Sequence, residues 1–194
     1  MKNTEAIQVL QKSGKRIFTL ADVKKLLQIE KDNSAYKKVE SLIRNKILSR
    51  TIKGIYIINM IPASDFELAN ILCRPSYISL LSALNYYGML VQAPYEITSV
   101  TPRLSKKINI KDKIFRYYHL NTDYFFDYKK ENNFLIASPE KALVDTLFFV
   151  SLGRISIEFD ELQLSGIINQ NRFKELCKKI RHPVFKSIIK KFSV

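Results

Sequence analysis

The 194-residue chain has no tryptophan, only two cysteines and two histidines, and five glycines. Cys73 and Cys177 are too far apart in sequence to share a metal-ligand motif and too few for a disulfide framework. They read as buried thiols in a reducing compartment. Neither His119 nor His182 has a Cys or Ser arrangement beside it that would suggest a catalytic triad. The few glycines form neither a phosphate-cradling loop nor a dinucleotide fingerprint. Apolar runs such as Leu143 to Val150 are broken by charge or too short to span a bilayer. Met1-Lys2-Asn3-Thr4-Glu5 lacks the apolar core of a signal peptide. These absences predict a cytoplasmic protein that is not an enzyme, with no cofactor, no metal site and no membrane.

What the chain has in excess is positive charge. Its formal net charge is +14, with 46% apolar residues, enough for a proper core. Residues 1–60 hold 13 Lys and Arg against 5 Asp and Glu, residues 61–171 hold 11 against 12, and residues 172–194 hold 8 against 1. A neutral middle between two basic ends points to localised surfaces for a polyanion.

The first basic end has the order of a winged helix-turn-helix. Thr4 to Lys12 reads as a helix ended by Ser13-Gly14. Thr19 then caps a second helix, with Asp22 three residues on and Phe18 and Val23 closing as a hydrophobic staple. After the polar break Glu30-Lys31-Asp32-Asn33, a third helix begins near Ser34. Ala35, Val39, Leu42 and Ile43 fall on one side of it, at i, i+4, i+7 and i+8. Two β-prone runs around Lys53-Gly54 make a hairpin with basic residues near its tip. Met60 to Ser64, with Pro62, reads as a linker. Two domains are expected: a winged helix over 1–60 and a mixed α/β domain over 65–194, an α+β protein overall.

In the second domain, Asp65 to Cys73 and Tyr77 to Gly88 read as helices, the latter with Ser79 as cap. Tyr95–Thr101, Lys113–Leu120 and Phe134–Ala137 are β-prone, with a turn at Asn109–Lys113. Ser138-Pro139-Glu140 opens a further helix, with Lys141 and Asp145 placed to pair across one turn. The stretch from Asp160 to Phe192 reads as helical. Within it Phe173, Leu176, Cys177 and Ile180 form an apolar stripe, and Pro183 breaks the run.

With Ala35, Val39, Leu42 and Ile43 turned inward, the other face of the third helix carries Lys37, Ser41 and Arg44. Lys38 and Asn45 flank it, and Asn33 and Ser34 sit at its start. Arg44 suits a guanine edge, Ser41 a base or a phosphate, and the lysines phosphates. Glu40 points the same way and needs a cationic partner or a cytosine amine. Arg50 and Lys53 in the hairpin suit phosphate or the minor groove. The alternative for this whole face is a solvated surface of a winged helix that binds protein. The second basic end, with Arg172, Lys174, Lys178, Lys179, Arg181, Lys186, Lys190 and Lys191, is a second DNA contact or merely the wet face of a core helix. A membrane-surface helix is a third option, without aromatic support. Glu158 and Asp160 stand two residues apart, as metal-dependent nucleotidyl transfer needs on a strand, but acids there equally open a helix.

Three motifs in order carry a resemblance: the winged helix ending Lys53-Gly54-Ile55-Tyr56; Tyr77-x-Ser79-x-x-Ser82-Ala83-Leu84 with Gly88; and Ser138-Pro139-Glu140-Lys141-Ala142-Leu143-x-Asp145. Together, over about residues 15 to 150, they resemble the AbiEi family, antitoxins of abortive-infection (type IV) toxin–antitoxin systems in phage defence. The resemblance implies a transcriptional repressor that binds double-stranded DNA at its own promoter, as a homo-oligomer where sites repeat. It further implies a C-terminal domain that counters a nucleotidyltransferase toxin, functionally and not necessarily by contact. A solitary regulator without a toxin partner remains the alternative.

Overall fold

Thr19 and Asp22 close a capping box. The Thr19 hydroxyl accepts from the Asp22 N–H at 3.2 Å, and the Asp22 carboxylate accepts from the Thr19 N–H at 2.9 Å. Helix α2 (Leu20–Leu27) therefore starts where the sequence predicts, with Phe18 and Val23 both buried beneath it. The computed structural model describes residues 2–191 and divides the chain into two units, one ending at Ile71 and the other beginning at Leu72.

In the first unit, helix α1 (Asn3–Lys12) precedes strand β1 (Ile17–Thr19) and α2. Helix α3 (Asp32–Arg44) follows, then strands β2 (Leu48–Ile52) and β3 (Ile55–Ile58). The strands form an antiparallel sheet in the order β1-β3-β2, with Ile17 opposite Ile57 and Arg50 opposite Tyr56. Leu10, Phe18, Val23, Leu27, Val39, Leu42, Leu48 and Tyr56 meet in one core. Lys53 and Gly54 make the β2–β3 turn, and Gly54 takes φ +80°, a conformation glycine adopts without strain.

Asp22 also holds the Lys15 ammonium. Partial burial would raise its carboxyl pKa, but the bonds from Lys15 and Thr19 outweigh that and hold it below the usual value. A depressed folded pKa stabilises fully above the unfolded carboxylate value, about 3.9, and the contribution is lost as pH falls through the folded one. Thermal unfolding of an Asp22→Asn variant should therefore show a shallower loss of stability from pH 5 downwards than the parent. Thr19→Ala should cost about 1 kcal/mol at neutral pH.

Helix α4 (Asp65–Leu72) begins at a cap in which the Ser64 hydroxyl accepts from the Glu67 N–H at 3.2 Å. Glu67 is buried and pairs with Arg16 at 3.2 Å, and Arg16 also donates to the Pro62 carbonyl at 3.3 Å. These bonds tie the segment after the expected linker to the first unit. A fragment meant to carry that unit therefore runs to Ile71 and not to residue 60.

The second unit holds β4 (Tyr77–Ile78), α5 (Leu80–Tyr86), β5 (Glu96–Thr101), β6 (Lys106–Ile110) and β7 (Lys113–His119). It continues with β8 (Tyr128–Glu131), β9 (Phe134–Ala137), α6 (Pro139–Ser151), α7 (Gln170–Lys179) and α8 (Pro183–Lys191). The six strands lie in the order β6-β7-β5-β4-β9-β8, parallel at β5/β7 and β4/β9 and antiparallel elsewhere. Every residue of α6 from Glu140 to Phe149 is buried. Helices α5, α7 and α8 pack around it, and Phe149 lies 5.2 Å from the Tyr118 ring of the sheet.

The Ser138-Pro139-Glu140 motif opens α6 as expected. The Ser138 hydroxyl accepts from the Lys141 N–H at 3.2 Å, and Glu140 accepts from the Asn169 N–H at 3.0 Å, fixing the approach to α7. Lys141 and Asp145 do pair, but in the core, at 0% and 1% exposure. Asp145 also accepts from the Tyr77 hydroxyl at 3.0 Å and the Ser79 hydroxyl at 2.8 Å. Burial, then the charge of Asp145, holds the Tyr77 phenol well above its ordinary pKa, so it stays a donor. Ser79 stands at the start of α5, yet its side chain makes no capping bond there, because Asp145 takes its hydroxyl.

Two further expectations need correction. The helix predicted from Asp160 onwards is absent until Gln170, where Asn169 caps α7 through the Arg172 N–H at 3.1 Å. Before it lie a single 3-10 turn (Phe159–Glu161), a bridge from Leu162 to Leu90, and Gly166 at φ +75°. Strands β1, β4, β6 and β8 are also additions to the sequence reading, and Tyr77 and Ile78, expected in a helix, pair with β5 and β9 in β4 instead. Phe192, the expected helix end, lies outside the described residues, as does the side chain of Lys191. Among the described residues, no helix is long and apolar enough to cross a membrane.

Candidate nucleic-acid interface

The expected apolar side of α3 is where the core is: Ala35, Val39 and Leu42 are buried, and Ile43 is half-buried. That fixes the outer face. Asn33, Ser34, Lys37, Glu40 and Arg44 are exposed there, and so is Tyr36, at 43%. Tyr36 is a residue the sequence reading passed over. It lies about 100° round the helix from Ala35 and about 20° from half-buried Ile43, at the edge of the inward stripe.

Lys38, Ser41 and Asn45 are placed differently. Lys38 and Ser41 are half-buried against α1. The Lys38 ammonium donates to Asn3 Oδ1 at 2.8 Å, and Asn3 Nδ2 donates to the Ser41 hydroxyl at 3.3 Å. Asn45 follows the last turn of α3, and its amide donates to the Ser41 carbonyl at 2.7 Å. Lys38 and Ser41 thus join α3 to α1 through Asn3, and Asn45 closes the last turn of α3. Lys24 pairs with Asp32, which ties α2 to the first turn of α3 and orders the break between them.

In the hairpin, Arg50 and Lys53 are both exposed. The Arg50 guanidinium lies 5.8 Å from the ring centroid of the fully buried Tyr56, its cross-strand neighbour, so the contact steadies the charged end itself. Lys53 sits in the turn itself. The exposed set in the first unit is thus Asn33, Ser34, Tyr36, Lys37 and Arg44 on α3 with Arg50 and Lys53 on the hairpin. The cations can neutralise phosphates, and Arg44 has the planar fork that matches the guanine edge.

The second basic end lies on α7 and just beyond it. Phe173, Leu176 and Ile180 point inward, whereas Lys174, Lys178, Lys179 and Arg181 are exposed. Lys179 stands 5.1 Å from the Phe126 ring. Arg172, at the start of the same helix, donates to Asp127 at 2.7 Å and lies 3.7 Å from Glu140. It braces the fold and belongs less to an open cationic face.

The remaining chemically suggestive residues gather no common site. Glu158 and Asp160 are exposed in and beside the 3-10 turn, and among the described residues no three His, Cys, Asp or Glu side chains cluster as metal ligands would. Cys73 is buried, and burial pushes the Cys177 thiol up to about 12, which leaves it protonated and inert. His119 Nδ1 lies 3.0 Å from the Arg103 carbonyl, and His182 packs edge-on against Phe148. Set beside models of protein families and beside curated proteins, the chain matches none of them.

Proposed function

We propose that the chain is a DNA-binding repressor of its own promoter and acts as the antitoxin half of an abortive-infection system. The first unit is then a winged helix-turn-helix, with α3 as reader in the major groove and the β2–β3 hairpin as wing. The observation that carries this reading is the exposed set Lys37, Arg44, Arg50 and Lys53, borne by two elements in helix-helix-hairpin order. Outward cations on those two elements favour a polyanionic partner over a protein-binding face. The likeness of the Tyr77–Gly88 and Ser138–Asp145 motifs to AbiEi proteins extends the proposal to a nucleotidyltransferase toxin as the functional partner of the second unit. A cytoplasmic location goes with such a role.

The test is binding of the full chain to a duplex of its own upstream region across a salt series. With Arg44 on a base edge, phosphate contacts from Lys37, Arg50 and Lys53 predict a log–log slope of about −2.7 per bound copy, or roughly a fortyfold loss between 50 and 200 mM salt. One winged helix reads few base pairs, so footprinting should show two half-sites about one helical turn apart, or a multiple of it. Binding that is flat in salt overturns the proposal. A nucleotidyltransferase frame next to this one in the genome, whose toxicity the chain relieves, supports the antitoxin part.

A further inference from the structure

We infer that the second unit carries a docking groove for a segment of another protein, an extended stretch combining large apolar side chains with Lys or Arg. The groove has a volume of about 380 Å³ and lies between the loop joining α5 to β5 and the loop joining α6 to α7. Leu81, Leu90, Pro94, Tyr95 and Ile157 give it apolar walls, and Glu158 and Glu161 line it too.

Its walls are fixed by bonds. Asn85 Nδ2 donates to the Leu90 carbonyl at 2.9 Å and reaches that of Val91 at 3.4 Å. The Gln163 N–H donates to the Met89 carbonyl at 3.0 Å, and Leu90 bridges to Leu162. Val91, at the pinned end of this loop, is 73% exposed, and Tyr95, four residues on in the groove wall, is 82% exposed. Large apolar side chains left exposed beside a groove mark a surface that a partner covers, and a preformed groove lowers the ordering cost of binding.

Charge selects the occupant. In a chain of net +14, the exposed carboxylates Glu158, Asp160 and Glu161 fall within four residues of one another beside this groove. They repel a nucleic acid and attract a basic segment. The chain's own basic ends, on a second copy, would reach the groove only by head-to-tail contact, which does not close a dimer and brings two strongly cationic bodies together. A different protein is the occupant that fits. Nothing in this inference depends on the DNA-binding reading.

A random heptapeptide phage library panned on the full chain tests it. The expected result is enrichment of peptides with Lys or Arg beside Leu, Ile, Phe or Tyr. A fluorescein-labelled synthetic copy of the leading peptide should bind the parent and lose about tenfold or more in affinity with Tyr95→Ser, and again with Glu158→Lys/Glu161→Lys. Both variants alter exposed residues, and unchanged thermal unfolding shows that they fold. Three results overturn the inference. One is no enrichment, and another is enrichment of peptides that bind the variants as well as the parent. The third is concentration-dependent self-association in sedimentation that Tyr95→Ser abolishes, which would make a second copy the occupant.

Discussion

Asp145→Ala is expected to destabilise the second unit by about 3–5 kcal/mol, enough to remove much of the stability of an ordinary domain. The reason is what stays behind. The Lys141 ammonium is fully buried, 4.8 Å from the Phe126 ring and 5.8 Å from the Tyr77 ring, and Asp145 is its carboxylate partner. Aromatic faces ease a buried cation but do not replace its counter-charge. The same substitution strands the Tyr77 and Ser79 hydroxyls, which both donate to Asp145, and each orphaned buried donor adds to the cost. The double variant Lys141→Met/Asp145→Leu removes both charges at similar volume. Its loss should be smaller than that of Asp145→Ala, because no unpaired charge stays buried, although Tyr77 and Ser79 lose their acceptor in both. Thermal unfolding of the three proteins decides it. If Asp145→Ala melts with the parent, Lys141 finds other solvation and the pair does not hold the core.

What the sequence made legible were the features whose causes are local. The Thr19/Asp22 capping box, the Ser138-Pro139-Glu140 helix start, the inward stripe of α3 and the Phe173–Ile180 stripe of α7 each need only a few neighbouring residues to be recognised. The hairpin tip at Lys53-Gly54 belongs with them. Most of what remained hidden depends on partners far along the chain. Strand β1 is three residues that become a strand only by pairing with β3, Ile17 against Ile57. Strand β8 pairs with β9 across a short turn, but its Tyr-Lys-Lys-Glu run has no β-prone alternation to announce it. The charge pattern around Asp160 mimicked a helix start, while the backbone there is held by Leu162 and Gln163 bonding back to Leu90 and Met89. In the candidate interface the same division holds. Helical phase alone assigned Lys37 and Arg44 outward. It could not foresee that Asn3, from another helix, would engage Lys38 and Ser41. Nor did the i, i+4 spacing of Lys141 and Asp145 say whether they pair in water or in the core.

That engagement by Asn3 separates two versions of the DNA-reading face and sets the most discriminating binding experiment. Arg44→Ala should cost about 1–3 kcal/mol on the preferred operator, five- to 150-fold, and should narrow the gap between operator and unrelated duplex, because a guanidinium fork on a guanine edge carries sequence information. Lys53→Ala should weaken all duplexes alike and reduce the salt slope by about one, as loss of a phosphate contact does. Reversing both charges, Arg44→Glu/Lys53→Glu, should leave no measurable binding at physiological salt. Lys38→Ala and Ser41→Ala should behave otherwise. Both remove bonds between α1 and α3, so a lower unfolding temperature should come first, with specificity kept in the protein that remains folded. Anisotropy titrations on operator and scrambled duplexes, paired with thermal unfolding of each variant, distinguish the cases. If Lys38→Ala and Ser41→Ala keep the parent's stability yet lose affinity as Arg44→Ala does, the side of α3 next to α1 is the one that meets DNA. If Arg44→Ala and Lys53→Ala bind like the parent, neither the outer face of α3 nor the hairpin tip reads it, and the exposed cations of the first unit serve solubility alone.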